Sequence, residues 1–356
     1  MDSRIPIEFE LPACQCAGVP SDEFSSGRKL CQEFFTDCVR PVLDAHSPGL
    51  PYAAALLGRG SEVLGYDDAM SLDHNVEPRV LIFVSEDDHH RYAADLRTAL
   101  AERIPETYAG RPCQYGITTI RGYLREQLDI DLDLPIRAID WLTWPESRLI
   151  MITGGMIFHD RIGLGAALER FRYYPDDVWY YLMIAGWWRL HPEVNLVGRT
   201  GYVGDEIGSS IIGSRLVHDL MQLCFLLERR YAPYDKWFGT AFARLDCGPK
   251  LLPVLRRVLR SDGWRDREQA LQAAYVRVAA LHNALRITDP VPVAVERMWG
   301  RPFGVLWGDF SGALRRQLKD PDVIAVAEAF PVGGIERPRE LLGISRGRLV
   351  RLFAAD

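Results

Sequence analysis

A chain of 356 residues with an apolar fraction of 48% has room for two domains, or one large one, around an ordinary globular core. A formal net charge of −6 argues against nucleic acid as a partner, because nonspecific nucleic-acid binding needs a basic surface. Residues 1–19 lack the basic and apolar regions of a signal peptide, and the longest aromatic-apolar run, 178–188, is too short to span a bilayer. Seven scattered cysteines suit free thiols, so we expect a cytoplasmic protein with no membrane partner.

The N-terminal half alternates helix and strand signals. Apolar residues recur at helical spacing over 28–45, which predicts the first helix. Short apolar runs at Tyr52–Leu57 and Val80–Val84 predict two buried strands, and Gln114–Thr119 predicts a third.

Helices are expected between and after these strands. Asp87 or Asp88 is expected to cap a helix after the second strand, and another helix should run through Leu128. Pro145 suits the first turn of a further helix, since proline there loses no intrahelical hydrogen bond.

The second half shows helical periods almost alone. Asp176-Asp177 opens one predicted helix, and two long ones follow at Asp205–Tyr231 and 264–286. We therefore expect an α+β protein, in which residues 1–160 form a mixed-sheet domain with an N-terminal helix and 161–356 form a mainly α-helical domain.

A phosphate-binding layout follows the first predicted strand. Gly60-Ser61 forms a turn there, and Asp73 and Asn75 come shortly before the second strand. A turn containing glycine lets backbone N–H groups approach a triphosphate, because no side chain blocks them. Acidic groups on the neighbouring strand can hold the divalent cation that bridges the phosphates.

This layout resembles the polymerase-β-like nucleotidyltransferase superfamily, whose signature is Gly-Gly or Gly-Ser, a short spacer and two acids one residue apart. Here Asp73 fills the first acid position, while the second holds Asn75, a neutral ligand. The resemblance implies a polymerase-β-like fold, Mg²⁺ held by Asp73 and Asn75, and a nucleoside triphosphate as substrate. Asp67 and Asp68 either compensate for the missing charge or are surface-loop acids.

A second resemblance covers most of the chain and is to a mostly bacterial, itself uncharacterised family with a nucleotidyltransferase-like N-terminal domain. Its central phrase reads Asp-His-Asp-Trp-Gly-Pro-Arg, of which this chain keeps Asp73, His74, Pro78 and Arg79. The other similar phrases are 60–67, 140–142, 158–160, 174–179, 198–199, 204–206 and 231–237. With Gly60 and Ser61, Arg79 is expected to bind substrate.

The third carboxylate of such a site normally comes from a later strand. Asp140 is the candidate, because apolar neighbours would bury its base, and it would bind metal or activate the acceptor. The alternative is a helix N-cap or a carboxylate hydrogen-bonded to backbone.

Three residues of the helical half are candidates for substrate contacts. Lys236 lies between two aromatic residues and suits a β- or γ-phosphate, or else is a helix lysine that reaches into solvent. Arg199 is expected in a flexible Gly-rich turn. Asp205 is either a base or acceptor contact, or the cap of the long helix that starts there.

The function expected from these residues is Mg²⁺-dependent transfer of a nucleotidyl group to a small-molecule hydroxyl or phosphate, as in aminoglycoside nucleotidyltransferases. Asn75 favours an alternative, a degenerate nucleotidyltransferase that binds a nucleotide or ligand without turnover. A third possibility is a cleft repurposed for a specialised biosynthetic pathway, because a fold does not fix a function.

Overall fold

The computed structural model describes residues 25–68, 77–331 and 333. Its N-terminal part is built around a four-stranded sheet. The helices of this part are α1 (Gly27–Phe34), a π-helical segment (Phe35–Val39), α2 (Arg40–His46), α3 (Ser61–Leu64), α4 (Glu86–Arg103), α5 (Ile120–Leu128), α6 (Ala138–Trp141) and α7 (Glu146–Thr153). The strands are β1 (Ala53–Leu56), β2 (Arg79–Phe83), β3 (Thr107–Tyr108), β4 (Arg111–Pro112), β5 (Gln114–Thr118) and β6 (Met156–Asp160).

The sheet is mixed and has the order β5-β2-β1-β6. β1 runs antiparallel to both β2 and β6, whereas β2 and β5 are parallel. Every residue of β1 is buried, because this central strand is covered on both faces, and the alanines at 53–55 let the covering layers approach closely. The three predicted strands are confirmed, and β6 is a fourth that the sequence analysis missed.

The helices around the sheet agree with the expected periods. The first predicted helix is present as α1 and α2, which are joined by the π-helical segment. α4 follows β2, but its cap is Ser85, whose hydroxyl accepts from the Asp88 backbone N–H at 3.1 Å. The expected cap at Asp87 or Asp88 was therefore wrong by two or three residues: these acids lie in the first turn, where their negative charges interact favourably with the positive end of the helix dipole.

The second half is mainly helical. Its helices are α8 (Leu164–Glu169), α9 (Asp176–Leu190), α10 (Leu196–Tyr202), α11 (Glu206–Leu227), α12 (Asp235–Ala243), α13 (Gly248–Arg260), α14 (Trp264–Ala284), a 3₁₀ turn (Met298–Gly300), α15 (Phe310–Arg315) and α16 (Pro321–Ala329). Two short strands, β7 (Val295–Arg297) and β8 (Gly304–Leu306), form a hairpin. The predicted α+β class, a mixed-sheet part followed by a mainly helical part, is confirmed.

One hydrophobic core runs through both parts. It begins at Ala53 and Phe83 of the sheet, continues through the aromatic residues of α9 and ends at Ala327 of α16. Among the described residues, α11 is the one helix long and apolar enough to cross a bilayer, and 56% of its apolar window is buried inside the protein. The core helix of a globular fold has the same composition, so α11 is explained by its packing against α9 and α14.

Candidate functional site

The turn after β1 contains two glycines with backbone that other residues rarely adopt. Gly58 has φ +95° and Gly60 has φ +134°, and Ser61 is the first residue of α3. A Cβ on Gly60 would lie 2.1 Å from Oε1 of Glu62, so the carboxylate of Glu62 packs directly against this glycine. Glycine is therefore required here by both the backbone and its neighbour, and one side of the turn is covered by a carboxylate.

Glu62 forms an ion pair with Arg79 at the base of the turn. The Arg79 guanidinium lies 2.5 Å from Glu62 Oε1, and it also donates to the backbone carbonyl of Arg59. Burial raises the pKa of the Glu62 carboxyl, and the nearby Arg79 charge opposes that rise. Arg79 thus joins β2 to the turn and neutralises the buried carboxylate.

Arg28 of α1 fixes the other end of α3. Its Nε donates to the Glu62 carbonyl at 2.9 Å, and its Nη2 donates to the carbonyls of Val63 and Gly154 at 2.6 Å each. Carbonyls at the end of a helix have no intrahelical partner, so an arginine that reaches them completes the hydrogen bonding of this short helix.

Helix α12 of the helical part docks onto the turn. The Trp237 indole N–H donates to the Ser61 hydroxyl oxygen at 2.9 Å, and the Tyr234 hydroxyl lies 3.4 Å from the same oxygen. Lys236 is exposed beside them, with its ammonium 4.8 Å from the centre of the Trp237 ring. Arg59 is also exposed on the turn, so two solvent-facing cations lie at this junction.

A second set of contacts holds α12 in place. The rings of Tyr66 and Trp237 stack with centroids 5.8 Å apart, and the Arg244 guanidinium lies 4.4 Å from the Tyr66 ring centre. Arg244 also donates to the Gly65 carbonyl at 3.2 Å. The junction between the sheet part and α12 is therefore fixed on both sides of Ser61.

A cavity of about 510 Å³ opens beside this junction, and Tyr234 forms part of its wall. Its size is in the range of small-molecule sites. The buried aromatic residues of its lining include Trp141, Trp144, Tyr174 and Tyr181. Its charged and titratable residues are Glu146, Arg189, His218, Asp219 and Asp235. An aromatic cavity that contains several charges and adjoins a glycine turn is the best candidate site in the described part of the chain.

Two of the predicted site residues, Asp73 and Asn75, lie outside the described residues, and their roles stay predictions. In the described part of the chain no group of three or more His, Cys, Asp or Glu side chains is placed to hold a metal ion. Glu62 is paired with Arg79. The described residues therefore give no geometry for Mg²⁺.

Asp140 lies on helix α6 and not on a later strand, so the expected strand position was wrong. Its carboxylate accepts from the Arg137 backbone N–H at 2.9 Å and lies 3.3 Å from the Arg137 guanidinium, so it bonds back to the residue that precedes the helix. The capping alternative describes this geometry, because an acid at the third helical position reaches back to the free N–H groups. Asp140 does not line the cavity, although its neighbour Trp141 does.

Arg199 and Asp205 lie at a different place. Arg199 is exposed on α10, so the flexible turn expected there was wrong: the flanking Gly198 and Gly201 are needed for close packing on α14. The Asp205 carboxylate caps α11, accepting from the Gly208 N–H at 2.7 Å. Asp219 lies 14 residues further along α11, and at a rise of 1.5 Å per residue the cap is about 20 Å from the cavity. Gly60, Ser61, Arg79 and Lys236, in contrast, are brought together.

Sequence reasoning missed Glu62, Arg28 and the charged residues of the cavity. Glu62 lies within 60–67, one of the stretches that resemble the family, but no sequence pattern indicates that its carboxylate folds back over Gly60. Arg189 and Asp219 interrupt the apolar stretches of α9 and α11, and a charge within such a stretch was the available signal.

Comparison with known proteins gives two findings. Residues 141–238 match the family model of a domain of unknown function, DUF4037. The matched range is less than a third of the chain. This range contains every cavity-lining residue except Gly333. The sequences of curated proteins give no match.

Among solved structures, the chain is similar to a nucleotidyltransferase-like protein from Exiguobacterium sibiricum 255-15, with a TM-score of 0.30 and 11% sequence identity. The likeness covers 75% of this chain and 96% of the other. A TM-score this low supports no assignment of function.

Proposed function

We propose that the protein binds a nucleoside triphosphate at the Gly58–Ser61 turn and transfers its nucleotidyl group to a small-molecule acceptor in the adjoining cavity. The observation that carries this proposal is the position of Tyr234, which lies 3.4 Å from the Ser61 hydroxyl and also lines the cavity. A ligand on the turn and a ligand in the cavity would therefore be neighbours. Catalysis would rest on holding the two reactants in contact.

The residues of the junction have distinct parts in this proposal. Arg59 and Lys236 are exposed cations that would attract the triphosphate, and Arg79 offsets the negative charge of Glu62 below it. Because Glu62 covers one side of Gly60, the phosphates would approach from the side on which Arg59 and Lys236 are exposed. The acceptor oxygen would bond to the α-phosphorus, pyrophosphate would leave, and a cavity carboxylate would take the acceptor proton. Mg²⁺ would be held by Asp73 and Asn75.

Asn75 supports a second candidate, nucleotide binding without turnover. A neutral amide in the second acid position removes one negative charge from a site that normally clamps a cation. In this version the turn and the cavity still bind ligands, but no bond to phosphorus is formed. A cleft repurposed for other chemistry is the third version, and it would show neither nucleotide binding nor transfer.

A screen of the four nucleoside triphosphates with Mg²⁺ or Mn²⁺ tests these candidates. Pyrophosphate release that depends on an added acceptor supports transfer, while a thermal shift without release supports binding alone. Ser61→Ala and Asp73→Ala should each reduce the nucleotide-dependent signal, and Glu169→Gln, on an exposed pair with Arg172, is the matched control. Absence of both signals with every nucleotide contradicts the proposal.

The variant Asn75→Asp separates a weakened enzyme from a binding protein. Restoring an anionic ligand should raise Mg²⁺-dependent turnover if the site is catalytic. If the site works without metal, two neighbouring carboxylates repel each other, and the melting temperature falls near neutral pH. Thermal melts with and without Mg²⁺ and nucleotide distinguish the two results.

A further inference from the structure

Four large apolar side chains are exposed where α10 leads into α11. Val203 is 77% exposed and Ile207 is 76% exposed, which are the two highest values for a large apolar side chain in the described part of the chain. Tyr202 and Ile211 are 64% and 52% exposed. Single exposed apolar residues are ordinary on a protein surface, whereas several side by side mark a surface that binds another molecule.

One face of α11 carries the centre of this apolar patch. The stretch 207–214 contains no charged residue, and Ile207 and Ile211 lie one helical turn apart on its exposed side. Ser210 and Ser214 are exposed on the same side, and their small side chains allow another surface to approach closely. The opposite side of the helix is buried in the core. Helix α11 is therefore apolar on two sides, of which the described residues cover one.

The charged groups at the two ends of this face are paired within the chain. Glu206 Oε2 accepts from the Arg267 guanidinium at 3.1 Å, and Arg215 donates to Glu193 at 2.9 Å. A surface that covers the face therefore removes no unpaired charge of Glu206 or Arg215 from water, a cost that opposes burial. Residues 202–217 contain two acids and one arginine, so they lack the basic excess by which a helix binds an anionic membrane.

The size of the patch matches one side of a protein–protein interface. A fully exposed tyrosine contributes about 200 Å², and valine and isoleucine somewhat less, so the four side chains expose roughly 450 Å² at their observed fractions. One partner of a standard interface buries about 800 Å², of which about 57% is apolar, which is again roughly 450 Å². The patch thus supplies the apolar area that a stable dimer needs.

We propose that this protein forms a two-fold symmetric dimer in which α11 of one copy packs antiparallel on α11 of the other. A two-fold axis brings the same face of both copies into contact. An axis between Ser210 and Ile211 sets Ile207 of one copy opposite Ser214 of the other, and Ile211 opposite Ser210. Each large side chain then meets a small one, so the two faces interdigitate. This inference does not depend on the proposed function.

Sedimentation velocity of the full chain over about 1–100 μM tests the dimer. The mass should rise from 40.3 kDa to twice that value, with a Kd below about 10 μM. Ile207→Glu should weaken the dimer at least a hundredfold, because a two-fold interface carries the substitution twice. Since Ile207 is exposed in the single chain, this variant should keep the native circular dichroism spectrum. Leu259→Glu, at an exposed apolar position of α13, is the matched control and should leave the Kd unchanged.

Cysteine variants test the antiparallel arrangement. At a rise of 1.5 Å per residue, the two copies of residue 210 would be offset by about 1.5 Å along the helices, and those of residue 214 by about 10 Å. A disulfide needs the two Cα atoms within about 7 Å. Oxidised glutathione should therefore link Ser210→Cys chains into a dimer, as two thiols become one disulfide and the oxidant leaves as two reduced molecules. The native chain and Ser214→Cys are the controls and should not be linked.

A monomer at 100 μM would overturn the inference. So would a dimer whose Kd is unchanged in Ile207→Glu, or one that Leu259→Glu weakens equally. Linking of Ser214→Cys in preference to Ser210→Cys, or no linking beyond that of the native chain, would contradict the antiparallel arrangement. If the native chain stays monomeric but binds vesicles of phosphatidylcholine and phosphatidylserine, and Ile207→Glu abolishes that binding, the face belongs to a membrane contact and the dimer is refuted.

Discussion

Replacing Arg28 with alanine should destabilise the protein strongly, although Arg28 is far in sequence from the groups it binds. The guanidinium donates three hydrogen bonds, to the carbonyls of Glu62, Val63 and Gly154, at 2.6 to 2.9 Å. A hydrogen bond that involves a charged group contributes about 1.5–3 kcal/mol, so three give an upper bound of roughly 5–9 kcal/mol. Arg28 is only part-buried, and water can replace it at some of these carbonyls, so we expect a loss of about 3 kcal/mol.

Urea denaturation followed by tryptophan fluorescence measures this loss as a change of midpoint at constant slope. Arg28→Lys keeps the charge but gathers its donors on one nitrogen, so it should recover only part of the loss. Arg172→Ala, which removes an exposed surface pair with Glu169, is the control and should change stability by less than about 0.5 kcal/mol. If the free energy of unfolding of Arg28→Ala lies within 0.5 kcal/mol of that of the control, the hydrogen bonds from Arg28 to the end of α3 do not stabilise the fold.

Three further predictions concern single contacts. Ser61→Ala and Trp237→Phe should each lower the free energy of unfolding by about 1 kcal/mol. A double-mutant cycle should show that the two losses are largely the same loss, since one hydrogen bond of 2.9 Å joins the two side chains. Additive losses would contradict that hydrogen bond. Burial lowers the pKa of His282 from 6.5 to about 4, so as the pH falls the unfolded chain takes up a proton before the folded chain does. The free energy of unfolding should therefore fall by up to about 3 kcal/mol between pH 6.5 and pH 4. His282→Gln should flatten this part of the pH profile of urea midpoints, and an unchanged slope would refute the assignment. Gly201→Ala places a Cβ 2.1 Å from a side-chain atom of α14 and should destabilise the protein by about 2 kcal/mol or more. Gly239→Ala, inside α12, places a Cβ with nothing within 4 Å and should stabilise the protein by about 0.5 kcal/mol. If thermal melts show the Gly201 variant to be the more stable of the two, the packing of α10 on α14 is contradicted.

Much of the fold could be predicted because its signals are local. Buried strands at Tyr52–Leu57 and Val80–Val84 show as apolar runs, and the long helices show as periods, since each depends on the spacing of a few residues. β6 was missed because its residues alternate poorly: it is an edge strand, and its pairing with β1 comes from a segment about 100 residues away in the chain. Capping acids were misplaced for a related reason, because Ser85, Asp87 and Asp88 are all good N-terminal residues and only the backbone angles decide which one caps.

Some residues of the candidate site could likewise be predicted from the sequence, and others could not. Gly60 and Ser61 are recognisable because a turn of this backbone needs glycine, whatever the rest of the chain does. Lys236 was predicted to contact phosphate because it lies between two aromatic residues, and the structure places its ammonium near the ring of Trp237, which bonds to Ser61. Asp140 and Asp205 show the opposite case, since an acid that caps a helix and an acid that binds a ligand look identical in sequence.

By itself, the sequence determined the α+β class, the Gly-Ser turn after the first strand and the change to helices in the second half. It determined them because hydrophobic period and glycine backbone are properties of short segments. Only the tertiary structure decided that Trp237 holds Ser61, that Arg79 pairs with Glu62 and that Asp219 faces a cavity with Arg189. These contacts join residues up to 176 positions apart, and their partners are selected by the packing of helices on the sheet rather than by any pattern along the chain.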